Sequence, residues 1–240
     1  MRPARKLGTP RFAVLLAALL GAAAMGVLLW QPPSFGAEAP VIIAPPAVDN
    51  PKAAGPMQTA VLAGGCFWGV QGVFEHVLGV RKAIAGYAGG KRSTADYRTV
   101  GTGRTGHAES VKIIFDPAQI SYGQILQIAF SVVHDPTQLN RQGPDVGTQY
   151  RSAIFYADDD QKRIAQAYIA QLDQAHVFAR PIVTQVDPLK GFYEAEGYHQ
   201  DYLMHNPTSS YIAMYDVPKV ENLKRTFPEL YRGQPVLAGN

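Results

Sequence analysis

Met57-Gln58-Thr59-Ala60-Val61-Leu62-Ala63-Gly64-Gly65-Cys66-Phe67-Trp68-Gly69 is the stretch on which the reading of the chain turns. Its first seven residues read as a short buried strand. Val70, Val73, Phe74, Val77 and Leu78 then recur at helical spacing up to Gly79, a fitting C-cap. Between strand and helix stands Cys66, the single cysteine of 240 residues. The unpaired N–H groups of a helix's first turn favour an anion, and for a thiol the anion is the nucleophile. At an ordinary pKa of ~8.5 only about 3 % of a thiol is ionised at neutral pH, and a pKa of ~6.5 takes about 2.7 kcal/mol. A helix start supplies up to ~2 kcal/mol, so a second group or an acid-assisted route is expected. The plain alternative for a lone cysteine is a small buried hydrophobe.

Working outward, residues 80–87 read as a strand running into Gly89-Gly90, followed by a polar, glycine-rich loop to Gly106. Residues 108–115 alternate as a strand ended by Asp116-Pro117. Ser121-Tyr122-Gly123-Gln124 is a capping box opening a helix with Ile125, Ile128, Ala129, Val132 and Val133 on its inner face. A strand at 151–156, a helix from the Asp158–Asp160 cap to about His176 and a strand at 182–186 follow. The order β-α-β-β-α-β with one more α-β pair predicts an α+β protein, a two-layer ferredoxin-like α/β sandwich. Beyond Asp187 the periodicity fades, which predicts a long irregular C-terminal tail wrapping the core or walling a site.

Before this domain the chain reads differently. Arg2, Arg5, Lys6 and Arg11 precede an uncharged apolar run at residues 12–30. That is the pattern of an export signal or a membrane anchor. The run is long for a signal core and barely sufficient for the ~30 Å hydrocarbon layer. Ala37-Glu38-Ala39 offers a small-x-small cleavage site, and the reading favours cleavage. Either outcome puts the rest of the chain outside the cytoplasm, in the periplasm. The predicted organisation is therefore residues 1–39 as signal or anchor, 40–56 as a Pro/Ala-rich linker and 57–240 as one catalytic domain. The chain carries 22 basic and 19 acidic residues, but four bases and one acid fall in the leader, leaving 18 of each. A neutral remainder carries no nucleic-acid footprint.

Three polar clusters lie at element edges. Thr105-Gly106-His107-Ala108-Glu109 enters a strand, where burial of Glu109 would raise its pKa and fit it for general-acid work; otherwise it is a solvated strand-edge residue. Asp145-Val146-Gly147-Thr148-Gln149-Tyr150-Arg151 offers an acid and a hydroxyl, or a turn residue and an edge aromatic. Glu194-Ala195-Glu196-Gly197-Tyr198-His199-Gln200 sets His199 beside aromatic residues, where a hydrogen-bonded structural histidine is the commoner role. The six histidines lack ligand spacing and a lone cysteine gives no CxxC, so no metal or other cofactor is expected. Gly101-x-Gly103-x-x-Gly106 fits GxGxxG by letter but precedes a strand, which excludes a dinucleotide loop.

Taken together, these residues resemble the peptide methionine sulfoxide reductase A family. Gly65-Cys66-Phe67-Trp68-Gly69 is similar to its active-site signature. Asp96-Tyr97, the clusters around Glu109 and Asp145, and Glu196-Gly197-Tyr198-His199-Gln200 match in order from about Gln58 to Tyr231. The resemblance implies reduction of the S epimer of methionine sulfoxide, free or in proteins. Cys66 would attack the sulfoxide sulfur and become a sulfenic acid. Glu109 would protonate the oxygen, Tyr97 and Tyr150 would hydrogen-bond it, and Asp145 would assist through a water. Phe67, Trp68 and His199 would bind substrate, the aromatic pair holding its S-methyl group. No second cysteine is present, and Pro218-Lys219-Val220-Glu221-Asn222-Leu223-Lys224 resembles the single-cysteine branch. That branch implies an external thiol reductant, thioredoxin-like or glutaredoxin-like. Pro144 departs from the Asn usual before the aspartate, and it removes an N–H and fixes φ beside Asp145. Two other readings stay open on the residues themselves: a different cysteine chemistry, such as a thiol peroxidase or acyl transferase, and a silent binder of oxidised methionine.

Overall fold

The computed structural model describes residues 38–239. Strand β1 (Gln58–Gly64) leads into helix α1 (Phe67–Glu75) and strand β2 (Val80–Ala88). A short helix α2 (Tyr97–Val100) interrupts the glycine-rich loop before β3 (Ala108–Phe115). Helix α3 (Tyr122–Ile128) runs on as a π turn (Ala129–Val133), and a two-stranded ribbon, β4 (Arg141–Gln142) with β5 (Asp145–Val146), follows. Then come β6 (Ser152–Tyr156), α4 (Asp159–Gln174), β7 (Gln185–Pro188), β8 (Phe192–Glu194), α5 (Tyr202–His205) and α6 (Val217–Thr226).

The main sheet has the order β7-β6-β1-β3-β2-β8. Within it β1-α1-β2-β3-α3-β6 makes the ferredoxin-like core, its four strands ordered β6-β1-β3-β2 with every pairing antiparallel. The α4 crossover adds β7 parallel to β6, as a helical connection allows. One face of the sheet packs its Leu62, Ala85, Val111, Ile113 and Ile154 side chains against α1, α3 and α4 in the main core. The other face carries a smaller cluster of Val61, Ala63, Ala88, Ala108, Ala153 and Phe155. Local rules account for the helix starts. Ser121 and Gln124 form the reciprocal capping box, and the Asp158 carboxylate accepts the Gln161 N–H at 2.8 Å.

Three expectations need correction. A linker is expected over residues 40–56, yet residues 41–50 are fastened to the domain. Val41 N–H donates to the Ser131 carbonyl at 2.9 Å, and the Gln127, Tyr168 and Gln171 side chains donate to the Ile43, Ala44 and Pro45 carbonyls. Ile43 is buried in the main core. Asp49 accepts the Gly123 N–H at 2.9 Å and the Ser121 hydroxyl, adding an acid at the start of α3. Proline removes donors but leaves carbonyls, and these are the groups the helices use.

The tail beyond Asp187 is less irregular than expected: it contributes β8 to the sheet and α6 to the helical layer, with Val220 and Leu223 buried. It also threads Tyr231 against Val77, and Asp201 accepts the Ala238 N–H at 2.7 Å. The strand expected at 182–186 forms instead at Gln185–Pro188; upstream of it the Ile182 N–H donates to the Asp173 carboxylate at 3.1 Å and the Val183 N–H to the Pro136 carbonyl at 2.9 Å. The signal or anchor at 1–39 lies, but for its last two residues, outside the described residues. Among the described residues no helix is long and apolar enough to cross a membrane.

Candidate active site

The end of β1 and the start of α1 set the position of the thiol. Gly65 turns the chain at φ +93°, a conformation that L side chains rarely adopt, and a Cβ there would stand 2.7 Å from Gln142. Cys66 follows as the N-cap of α1, with φ −56° and ψ 124°. The free amides of the first turn are divided between two acids. Phe67 N–H donates to Glu109 Oε2 at 3.1 Å, while Trp68 N–H favours the Cys66 thiolate.

The helix start does not win at Cys66. Burial pushes the thiol well above its ordinary value, Glu109 and Asp216 push it further, and the Trp68 amide opposes them only in part. The helix end favours the thiolate, as expected, but falls short by itself, and the net shift in the free site is upward. An isolated anion in a buried site surrounded by acids loses more hydration than one amide returns.

Glu109 lies on β3 opposite Tyr87 and is 3 % exposed. Burial raises its pKa to about 8, with the Phe67 amide opposing and Asp145 and Asp216 adding to the rise. It is therefore mainly a neutral acid at pH 7, able to donate a proton.

Tyr97 and Tyr150 arrive from separate turns. Tyr97 opens α2 and is held by Glu196, which accepts the Tyr97 N–H at 2.9 Å and the Tyr87 hydroxyl at 2.8 Å. Tyr150 closes a 3-10 turn (Thr148–Tyr150). Burial, then the charge on Glu109, raises both phenols, Tyr97 to about 12, so both remain hydroxyl donors. Both also respond to charge on Cys66. Asp145 sits at the Gly143-Pro144 turn of the ribbon and accepts the Tyr211 hydroxyl. Cys66, Glu109, Tyr97, Tyr150 and Asp145, drawn from five segments, thus share one electrostatic neighbourhood.

The aromatic pair divides. Phe67, expected to wall a substrate pocket beside Trp68, is fully buried and belongs to the main core, its ring 5.8 Å from Tyr87. Trp68 keeps partial exposure. It stacks on Tyr202 at 3.9 Å with its plane tilted 11°, meets the edge of Tyr211, and donates its indole N–H to His199 Nδ1 at 3.1 Å. His199 is 2 % exposed and lies 4.3 Å from the Tyr97 ring. Burial lowers its pKa, so the neutral imidazole is the acceptor. It holds Trp68 and Tyr97 together.

Beside Cys66 opens a cavity of about 360 Å³ lined by Glu38, Gln142, Asp145, Tyr211 and Lys219. The sequence reading placed only Asp145 there. Lys219 and Asp216 form an ion pair at the start of α6. Asp216 followed by Val217-Pro218 marks a helix start in the sequence, but nothing local marks it as facing Cys66. Among the described residues no cluster of three histidine, cysteine or acidic side chains could hold a metal ion.

Residues 58–230 match the model of the family described as peptide methionine sulfoxide reductase. The chain is 62 % identical over 186 residues to peptide methionine sulfoxide reductase MsrA 2 of Mesorhizobium japonicum, covering 78 % of this chain and 95 % of that one. To the MsrA 2 protein of Synechocystis it is 48 % identical over 196 residues, 80 % of this chain and 92 % of the other. The fold is similar to that of Mxr1 from Saccharomyces cerevisiae in reduced form, with a TM-score of 0.58 at 32 % identity over 64 % of this chain and 88 % of that one. Methionine sulfoxide reductase A of Corynebacterium diphtheriae gives 0.54 at 32 % identity, covering 73 % and 88 %.

Proposed function

Because the chain belongs to the peptide methionine sulfoxide reductase family, we propose that it reduces the S epimer of methionine sulfoxide, free or in proteins, at Cys66. The observation that carries this reading is a neutral carboxylic acid, Glu109, bonded to the first amide of the helix that Cys66 caps. The site's difficulty and its chemistry fit each other. A thiolate is disfavoured here until something accepts charge, and a sulfoxide whose oxygen takes a proton from Glu109 becomes electrophilic at sulfur. Tyr97 and Tyr150 donate hydroxyl hydrogen bonds to the same oxygen, and Asp145, held by Tyr211, orders a water beside it. Trp68 packs the S-methyl group, with His199 fixing the indole; Phe67 supports that wall from behind.

The electron count closes without a cofactor. Cys66 sulfur gives two electrons to the sulfoxide, its oxygen passes to Cys66, methionine leaves, and the cysteine becomes a sulfenic acid, a reversible state. With no second cysteine in the sequence, an external thiol attacks that sulfur, releasing water and leaving a mixed disulfide. A second thiol then frees Cys66. A thioredoxin-like or glutaredoxin-like protein fits that role. The basic start and the apolar run at 12–30 support export to the periplasm, with that segment acting as signal or anchor.

The test is a single turnover without reductant. The reduced protein should release one methionine per Cys66 from the S epimer and gain the mass of one oxygen, trapped by a sulfenic-acid reagent. Consumption of the R epimer alone overturns the assignment.

A further inference from the structure

Two charges buried on α6 have no part in that chemistry. The Asp216 side chain is 0 % exposed and Lys219 12 %, with Nζ 3.2 Å from Oδ1. They press on the first turn of α1. A Cβ added to Gly69 would stand 2.1 Å from Asp216 Oδ1 and 3.0 Å from Lys219 Nζ, so only glycine admits the pair. Gly69 lies three residues after Cys66, and Lys219 and Cys66 line the same cavity. A buried ion pair is poor value as a stabiliser, since removing both charges costs little where the volume is refilled. Its second carboxylate oxygen, Oδ2, is buried without a hydrogen-bond partner.

The groups that share charge effects with Cys66 are Glu109 from β3, Asp145 from β5 and Asp216 at the α6 N-cap, which push its thiol up, and Tyr97 from α2, Tyr150 from the 3-10 turn, Tyr211 from the segment before α6 and Lys219, which respond to its charge. Six of these are acids or phenols, and Lys219 alone carries positive charge. Burial acts to neutralise Lys219, but Asp216 and Cys66 outweigh it and hold the ammonium.

We propose that Lys219 is a positioning residue whose charge sets how readily Cys66 becomes a thiolate, and that Asp216 restrains it by holding the ammonium. The proposal rests on the reductase reading for its purpose, not for its test. The two members of the pair then act on the sulfur with opposite sign, which no purely structural role produces.

The rate of Cys66 alkylation by iodoacetamide against pH, measured on the reduced full chain, reads this directly and needs no sulfoxide. Lys219→Met should move the midpoint up by about one pH unit or more, and Lys219→Arg should bring it back. Asp216→Asn should move it down. In turnover, Lys219→Met should lower kcat about tenfold with KM nearly unchanged, the pattern of an interaction made at the reacting sulfur. Midpoints that stay put, or that move the same way in Lys219→Met and Asp216→Asn, overturn the proposal. If Lys219→Met does not fold, Asp216→Asn decides alone: a downward shift supports the proposal and an unchanged midpoint overturns it. Loss of reductase activity with these shifts intact would count against the proposed reaction and not against the pair.

Discussion

Glu109 and Asp216 are both buried carboxyls within reach of one sulfur, and the molecule treats them oppositely. The strand side gives Glu109 a single amide and no cation, so burial leaves it protonated with a pKa of about 8. Burial raises Asp216 too, but the helix side gives it a lysine at 3.2 Å that opposes the rise and holds a countercharge in place. One acid is a store of protons and the other a fixed countercharge. Partner chemistry decides which, since burial is common to both.

The largest effect should come from the proton store. Glu109→Gln keeps shape and neutrality but removes the transferable proton, and kcat should fall by ~10²–10⁴ with little change in binding, the range for a lost general acid. A modest loss would mean that proton transfer does not distinguish the two sides. The second test is pH. Glu109 in the unfolded chain ionises near ~4.3, while in the fold it holds its proton to about 8. Across that window the folded state binds more protons, so stability should decline as pH rises and level off above it. Glu109→Gln should flatten this slope in denaturant titrations at several pH values, leaving the similar slope of buried Glu75, raised to about 9 by burial and Asp201. Lys219, raised above its ordinary value, should lose its contribution only above pH ~10.4. In turnover the same proton should appear as a falling limb near pH 8, absent in Glu109→Gln.

Smaller changes sharpen the boundary between the sides. Trp68→Phe removes the indole donor to His199 and should raise KM several-fold, with a stability cost of about 1 kcal/mol. Asp49→Ala lies far from both acids. It should cost about 1 kcal/mol through the lost α3 start contacts, seen as a Tm lower by roughly 2–4 °C. Its kcat should stay unchanged, and any change in kcat would mean that residues 41–50 couple to the site.

What could be read from the sequence follows the range of the physics. The β1–α1 turn and the Ser121 capping box obey rules that act within a few residues, and both stand where the sequence placed them. The family pattern named five polar site residues that the fold does gather. Phe67 and Trp68, being neighbours, point about 100° apart on α1, and only the packed helix shows which faces the core. Lys219 and Asp216 were invisible because their burial depends on Gly69, some 150 residues earlier. The fastening of residues 41–50 was hidden by their composition. Proline suggests a spacer, while the bonds they make come from helices downstream.

The chain just before residues 41–50 also reaches the site. Glu38 stands in the cavity wall beside Cys66, its carboxyl held by Gln138 and Gln142 and its carbonyl by Asn222 Nδ2 at 3.1 Å. A peptidase cutting after Ala39 would take Glu38 away with the leader and open that wall. A chain that keeps its N-terminus keeps the wall. Loss of Glu38 would thus leave a wider cavity beside Cys66, and its retention a narrower one.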